Sequence, residues 1–135
     1  EEIDICGNKT GVKVTGPKRI TQTGMFNYCW PGCLTVMYDA NVVGLIQIED
    51  IKKNNDYAMW LKACRKADCH LLDKCLGQYR KGRVGSVSTH SIKTMIGWHY
   101  KLYKEAEGMG TFASLVNTGR NMAFGFYKKK RYVKR

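Results

Sequence analysis

Asn54-Asn55-Asp56-Tyr57-Ala58-Met59-Trp60-Leu61-Lys62 is the stretch on which the reading of the fold turns. Asn54 is a residue type that opens helices, because its side chain can accept a bond from an unpaired first-turn N–H. Tyr57, Trp60, Leu61 and Cys64 then recur at three- and four-residue spacing, which places them on one apolar face. Asp56 falls in the first turn, where the positive end of the helix dipole favours a carboxylate. Lys62, Arg65 and Lys66 fall toward the other end, where cations are favoured. The spacing therefore predicts an amphipathic helix that opens near Asn54 and carries Asp56 at its head.

Upstream, Ile3 to Ile20 alternates apolar and polar residues around Gly7-Asn8, Gly11 and Gly16-Pro17, the pattern of short strands at a sheet edge. Residues 24–33 form an aromatic loop in which Trp30 reads as an exposed ring, a suitable platform for a sugar face, although core packing is the commoner fate of a Trp. Cys33 to Tyr38 reads as a buried strand, and a second apolar stretch runs from Val42 to Ile48. Downstream, Cys75 to Arg80 reads as a further strand, and Arg80 to Ser88 as a basic Gly- and Ser-containing loop. Helical period returns from Thr89 to Glu107, with Ile92, Met95, Ile96, His99, Leu102 and Tyr103 on a common face. Gly108-Met109-Gly110 breaks it before a last amphipathic helix bearing Phe112, Leu115, Val116, Met122, Phe126 and Tyr127. Strands first, then a helix, a strand, a basic loop and two helices imply an α/β or α+β fold.

The totals limit the partners. A chain of 135 residues with 44% hydrophobic and 25% charged residues has the size and composition of one globular domain spanning 1–135. With 23 Lys and Arg against 11 Asp and Glu, the formal charge of +12 favours an anionic partner. Lys128, Lys129, Lys130, Arg131, Lys134 and Arg135 fill six of the last eight positions, which reads either as a solvated tail or as a contact with an anionic membrane surface. No apolar run reaches the roughly eighteen residues that a membrane span needs. Six cysteines in a chain of this size, without a basic-then-apolar leader, suit a reducing cytoplasm better than a disulfide scaffold. Glu1-Glu2-Ile3-Asp4 lacks an initiator Met and reads like the middle of a strand, so a piece of a longer protein is expected.

Several groups are candidates for chemistry. A carboxylate aimed from a helix N-terminus, like that of Asp56, can act as a general base once a hydroxyl comes within hydrogen-bond reach; it can equally be a helix-start residue. Tyr79 to Ser88 offers Arg80, Lys81, Arg83 and Ser86, donors suited to phosphate oxygens, although a solvated basic loop has the same composition. Cys64, Cys69, His70 and Cys75 crowd together but lack the close Cys-x2-Cys knuckle of a zinc site, and small buried hydrophobes are the simpler reading.

Three stretches together resemble one family. Gly32-Cys-Leu-Thr-Val-Met-Tyr-Asp39, Asn54-Asn-Asp-Tyr-Ala-Met-Trp-Leu-Lys62, and Leu76-Gly-Gln-Tyr-Arg80 with Ser86-Val-Ser88 look like the C-terminal, acceptor-side half of bacterial family 2 glycosyltransferases, as does the trailing Gly97-Trp-His-Tyr-Lys-Leu-Tyr103. The resemblance implies part of a GT-A-type α/β fold. It implies that Asp56 is the base of a single inverting displacement, and that Glu49-Asp50 is a decoy. It places Arg80, Arg83 and Ser86 toward the donor diphosphate, and Trp30, Tyr57 and Trp60 at the acceptor pocket. It further implies a nucleotide-sugar donor, a glycan or lipid-linked acceptor, and action in the cytoplasm or on the inner face of the plasma membrane, with Lys128, Lys129, Lys130 and Arg131 toward the lipid. The family's Asp-x-Asp motif is absent, so Mg²⁺ or Mn²⁺ is expected only in the full-length enzyme, and this chain alone is expected to hold no cofactor and to be inactive. The alternative is a basic nucleic-acid- or phosphate-binding module without enzymatic activity. The basic residues sit in separate loops and a tail rather than on one helix, so no nucleic acid is expected.

Overall fold

The structure, a computed structural model, describes residues 1–82 and 90–134. The expected helix forms over Asn55–Ala63 (α3) and buries Tyr57, Ala58, Trp60 and Leu61, so the apolar spacing and the buried face coincide. Its start differs from the expected cap. Asn54 adopts a left-handed conformation at φ 62°, which Asn tolerates better than most residues, and its side chain makes no capping bond. Instead the Asn55 side chain accepts the Asp56 N–H at 2.9 Å, and Asp56 Oδ1 accepts the Tyr57 N–H at 2.8 Å.

Around α3 lie three other principal helical elements. Helix α1 (Gln22–Asn27) is opened by Thr21, whose hydroxyl accepts the Gly24 N–H, and it supplies Met25 to the core. Helix α4 (Ile92–Lys101), capped by Ser91, runs into a π-helical turn over Leu102–Ala106 that buries Leu102 and Tyr103. Gly108, at φ 65°, ends that run, and α5 (Thr111–Tyr132) follows. The core gathers Ile20, Met25, Trp30, Tyr57, Trp60, Leu61, Leu102 and Tyr103.

The strands are short. Glu2–Ile3 (β1) pairs in parallel with Tyr79–Arg80 (β5). Lys13–Val14 (β2) pairs antiparallel with Val133–Lys134 (β6), and Arg19–Ile20 (β3) antiparallel with Cys69–His70 (β4). The edge-strand pattern of residues 3–20 thus yields three ladders of two residues each. The buried strand expected over Cys33–Tyr38 does not form. Cys33–Thr35 is a 3-10 turn, and Met37 is 95% exposed. The apolar run from Val42 opens as a single helical turn, α2 (Ala40–Val43), capped by Asp39, and Leu45 beyond it is exposed. A buried strand needs neighbours to take its N–H and C=O groups, and among the described residues no ladder exceeds two residues. The result is a helix-rich mixture of helix and strand rather than a layered sheet.

The amphipathic helix expected at the end of the chain forms as α5. The apolar set on α5 does not face the core: Phe112 is 81% and Phe126 62% exposed, while Ser114, Thr118 and Asn121 are buried. The basic run is helical rather than an extended tail; Lys129, Lys130 and Arg131 are exposed on it, and only Lys128 turns inward. α5 continues through Tyr132, and the Lys128 ammonium bonds the Trp30 carbonyl at 3.2 Å and lies 4.9 Å from the Tyr28 ring centroid. Among the described residues no helix is long and apolar enough to cross a membrane.

Candidate functional site

Asp56 stands half-buried at the head of α3, where its two carboxylate oxygens have different duties. Oδ1 is committed to the Tyr57 N–H, and Oδ2 accepts the Cys33 S–H at 3.1 Å. Desolvation, and then the neighbouring Asp56 carboxylate, push the Cys33 thiol up to about 11, so across the physiological range it stays a protonated, weak donor. The Trp60 indole stands beside the same sulfur; its N–H is buried and has no hydrogen-bond partner among the described residues. Cys29, whose thiol burial pushes upward, lies near enough to Asp56 to feel its charge. An oxygen acceptor, a thiol donor and an indole N–H thus share one corner of the molecule.

Behind this corner the helix head is fixed by a buried polar network. Asn121 on α5 gives its side-chain N–H groups to the hydroxyls of Tyr57 at 3.0 Å and Tyr103 at 3.3 Å. Those hydroxyls donate in turn to α1, Tyr57 to the Met25 carbonyl at 2.7 Å and Tyr103 to the Phe26 carbonyl at 3.1 Å. Each hydroxyl proton and both Asn121 donors are used, so nothing polar in the network is stranded. Burial drives the Tyr57 hydroxyl far above the ordinary phenol value, and it remains neutral. Asn54, one residue before α3, donates to His99 Nδ1 at 3.3 Å, and burial lowers the pKa of that imidazole, which keeps it neutral.

The other expected site residues are scattered. Tyr57, expected at the acceptor pocket, is 1% exposed and belongs to the core. Trp30, expected as an exposed platform, is buried: its indole donates to the Gly24 carbonyl at 2.9 Å and its ring meets Tyr28, Phe124 and Tyr132 edge-on. The aromatic composition of residues 24–33 signals this cluster as readily as it signals a platform. Trp60 is buried beside Asp56. Arg80, on β5, is exposed and bonds the carbonyls of Asp4 and Ile5 through one guanidinium nitrogen, at 3.2 and 2.6 Å. Arg83 and Ser86 lie outside the described residues. Glu49 forms an ion pair with Lys62 of α3. Asn121 is the positioning residue that sequence reasoning missed. Its signal is the recurrence of Ser114, Thr118, Asn121 and Gly125, a small and polar stripe at helical spacing.

Among the described residues no group of three or more His, Cys, Asp or Glu side chains is placed to hold a metal ion. Among the described residues the group bonded to the free Asp56 oxygen is the Cys33 thiol, a soft donor that does not fit a Mg²⁺ or Mn²⁺ site built from oxygens. Cys64 is buried at the end of α3, Cys69 lies half-buried on β4 and Cys75 is exposed; all three are free thiols.

No protein-family model matches the chain, and no solved structure matches it. Over 68 residues, 50% of its length, the chain is 32% identical to TuaG of Bacillus subtilis (strain 168), provisionally named a teichuronic acid biosynthesis glycosyltransferase. The chain spans 27% of that protein's length. The similarity relates these residues to a glycosyltransferase.

Proposed function

We propose that the chain is the acceptor-side portion of an inverting, family 2 glycosyltransferase of GT-A type, with Asp56 as its base. The observation that carries this reading is the split duty of the Asp56 carboxylate: one oxygen is fixed by the helix backbone and, among the described residues, the other is occupied only by a thiol. A thiol is a weaker donor than a sugar hydroxyl, so an arriving acceptor can displace it. Oδ2 then takes the hydroxyl proton as that oxygen attacks the anomeric carbon of a nucleotide-sugar. The bond from that carbon to the diphosphate breaks, and its electron pair leaves with the nucleoside diphosphate. The new C–O bond forms on the face opposite the leaving group, so the configuration inverts.

Trp60 lies beneath the acceptor in this reading, and Arg80, Arg83 and Ser86 stand on the donor side. A divalent cation that neutralises the leaving diphosphate would be held by residues outside this chain. The acceptor is a glycan or a lipid-linked sugar, the reaction takes place in the cytoplasm, and the chain by itself turns over no donor. The similarity to TuaG and the position of Asp56 support this reading together.

The test is transfer by the full-length polypeptide that carries these residues, supplied with nucleotide-sugars and glycan or lipid-linked acceptors. Acceptor-dependent release of nucleoside diphosphate, with an inverted anomeric centre in the product by NMR, is expected. A retained configuration would contradict a single displacement on Asp56.

A further inference from the structure

Helix α5 buries its polar side and exposes its apolar side. At about 100° per residue, Phe112, Val116, Gly119, Ala123, Phe126 and Lys130 run down one stripe, with Leu115 and Tyr127 flanking it. Phe112, Leu115, Val116, Phe126 and Tyr127 are all exposed, between 48% and 81%. On the opposite stripe Ser114, Thr118 and Asn121 are buried, and Gly125 lies against the Tyr28 ring. The polar face is satisfied within the fold: Ser114 donates to the Gly110 carbonyl at 3.0 Å, Thr118 to the Ser114 carbonyl at 2.7 Å, and Asn121 to the two tyrosines. Turning the phenylalanines inward would take the Asn121 donors away from the Tyr57 and Tyr103 oxygens, although both hydroxyls would keep their bonds to the α1 carbonyls.

The charge on α5 is of one sign. Its 22 residues include Arg120, Lys128, Lys129, Lys130 and Arg131 and no Asp or Glu. Lys128 is turned inward, while Lys129, Lys130 and Arg131 are exposed at the end of the apolar stripe. A second copy packed on this face would bring cations against apolar or cationic surface, with no carboxylate on α5 to meet them. A flat aliphatic and aromatic stripe ending in a basic turn instead complements a surface that is apolar below and anionic above.

We infer that α5 docks on an anionic phospholipid surface. Phe112, Leu115, Val116 and Phe126 enter the boundary between headgroups and acyl chains, and Lys129, Lys130 and Arg131 meet lipid phosphates. The helix lies along the membrane plane rather than across it. The buried stripe of α5 keeps its bonds to Tyr57 and Tyr103, so docking needs no rearrangement of the core. This inference is independent of the role given to Asp56, since it concerns the opposite face of a different helix.

Co-sedimentation of the 135-residue chain with vesicles tests it, comparing phosphatidylglycerol-containing vesicles with pure phosphatidylcholine. Strong binding to the anionic vesicles at low salt, weakened by added salt, is expected. Lys129→Ser/Lys130→Ser/Arg131→Ser should lower the affinity about a hundredfold, at roughly fivefold per basic side chain. Phe112→Ser/Phe126→Ser should lower it by at least about tenfold. Both variants should keep the circular dichroism and melting temperature of the parent, because the altered side chains are exposed. Lys52→Ser/Lys74→Ser/Lys93→Ser removes the same charge elsewhere on the surface and should leave binding within about threefold if α5 is the contact. Equal losses in the two charge variants would overturn the inference, as general attraction of a basic protein would then account for binding. Binding that survives the phenylalanine changes would also overturn it, as would a dimer in analytical ultracentrifugation that Phe112→Ser/Phe126→Ser dissolves while vesicles are ignored.

Discussion

Helix α3 turns Tyr57 and Leu61 into the core and leaves Asp56 and Lys62 at its rim, whereas helix α5 turns Ser114, Thr118 and Asn121 inward and leaves Phe112 and Phe126 outside. Both helices are amphipathic, yet the side chains that α3 buries fully are mainly apolar, whereas those that α5 buries fully, Ser114, Thr118 and Asn121, are polar. Burying a large apolar side chain contributes about 1.5–3 kcal/mol, and a neutral hydrogen bond about 0.5–1.5 kcal/mol net. Residue for residue, α3 is therefore held more firmly. α5 commits its polar stripe, together with Phe124 and Tyr132 against Trp30, to the fold and leaves the Phe112, Val116 and Phe126 stripe for another surface. A helix read alone shows that it has two faces; which of them the fold uses depends on what stands opposite.

The comparison can be broken most readily in the core. Leu61 is fully buried, so Leu61→Ala should cost about 2–5 kcal/mol in denaturant unfolding. A loss below about 1 kcal/mol would mean that α3 is not the apolar anchor described. Next come the hydroxyls that join the two helices. Asn121→Ala leaves the Tyr57 and Tyr103 oxygens without their shared donor and should cost about 1–3 kcal/mol. An unchanged melting temperature would show that the polar stripe of α5 does not hold it in place.

A smaller effect concerns acid. Burial lowers the pKa of His99 below its ordinary 6.5, so the unfolded chain binds more protons at this site than the folded one. Stability contributed by neutral His99 is therefore present at pH 7 and is lost as the pH falls below about 6.5. His99→Phe should show a shallower fall in melting temperature from pH 7 to pH 5 than the parent; parallel curves would remove His99 from the account. Burial raises the Glu107 carboxyl, which acts in the opposite sense, but that contribution is common to both proteins and cancels in the difference. The smallest change is expected outside. Phe126→Ser should alter stability by no more than about 0.5 kcal/mol. A loss as large as that of Leu61→Ala would place Phe126 in the core and dissolve the contrast between the helices.

Helix α3 was legible in the sequence because its apolar spacing, its first-turn acid and its later cations all favour the same helix and face. The period of α5 was equally legible, but its orientation was not. The partners that draw Asn121 inward are hydroxyls 64 and 18 residues away, and no local pattern reports them. Cys33 to Tyr38 has strand composition, yet it lacks a neighbouring ladder to complete it. At the site, Asp56 could be singled out from the sequence, whereas the thiol bonded to its carboxylate lies 23 residues upstream, in a segment read as strand. Of the two fates open to Trp30, core packing prevails, because the aromatic loop packs on itself and on Phe124 and Tyr132, which the chain brings back some hundred residues later.

Asp56 as the base is the central claim, and Asp56→Asn in the full-length polypeptide that carries these residues tests it most directly. Asparagine can still accept the Tyr57 N–H through its side-chain carbonyl, so the helix head survives while the proton acceptor is removed. The expected result is a fall in sugar transfer of about 10²–10⁴-fold, with nucleotide-sugar affinity kept within about threefold of the parent. Turnover within about tenfold of the parent would contradict the account and move the base elsewhere.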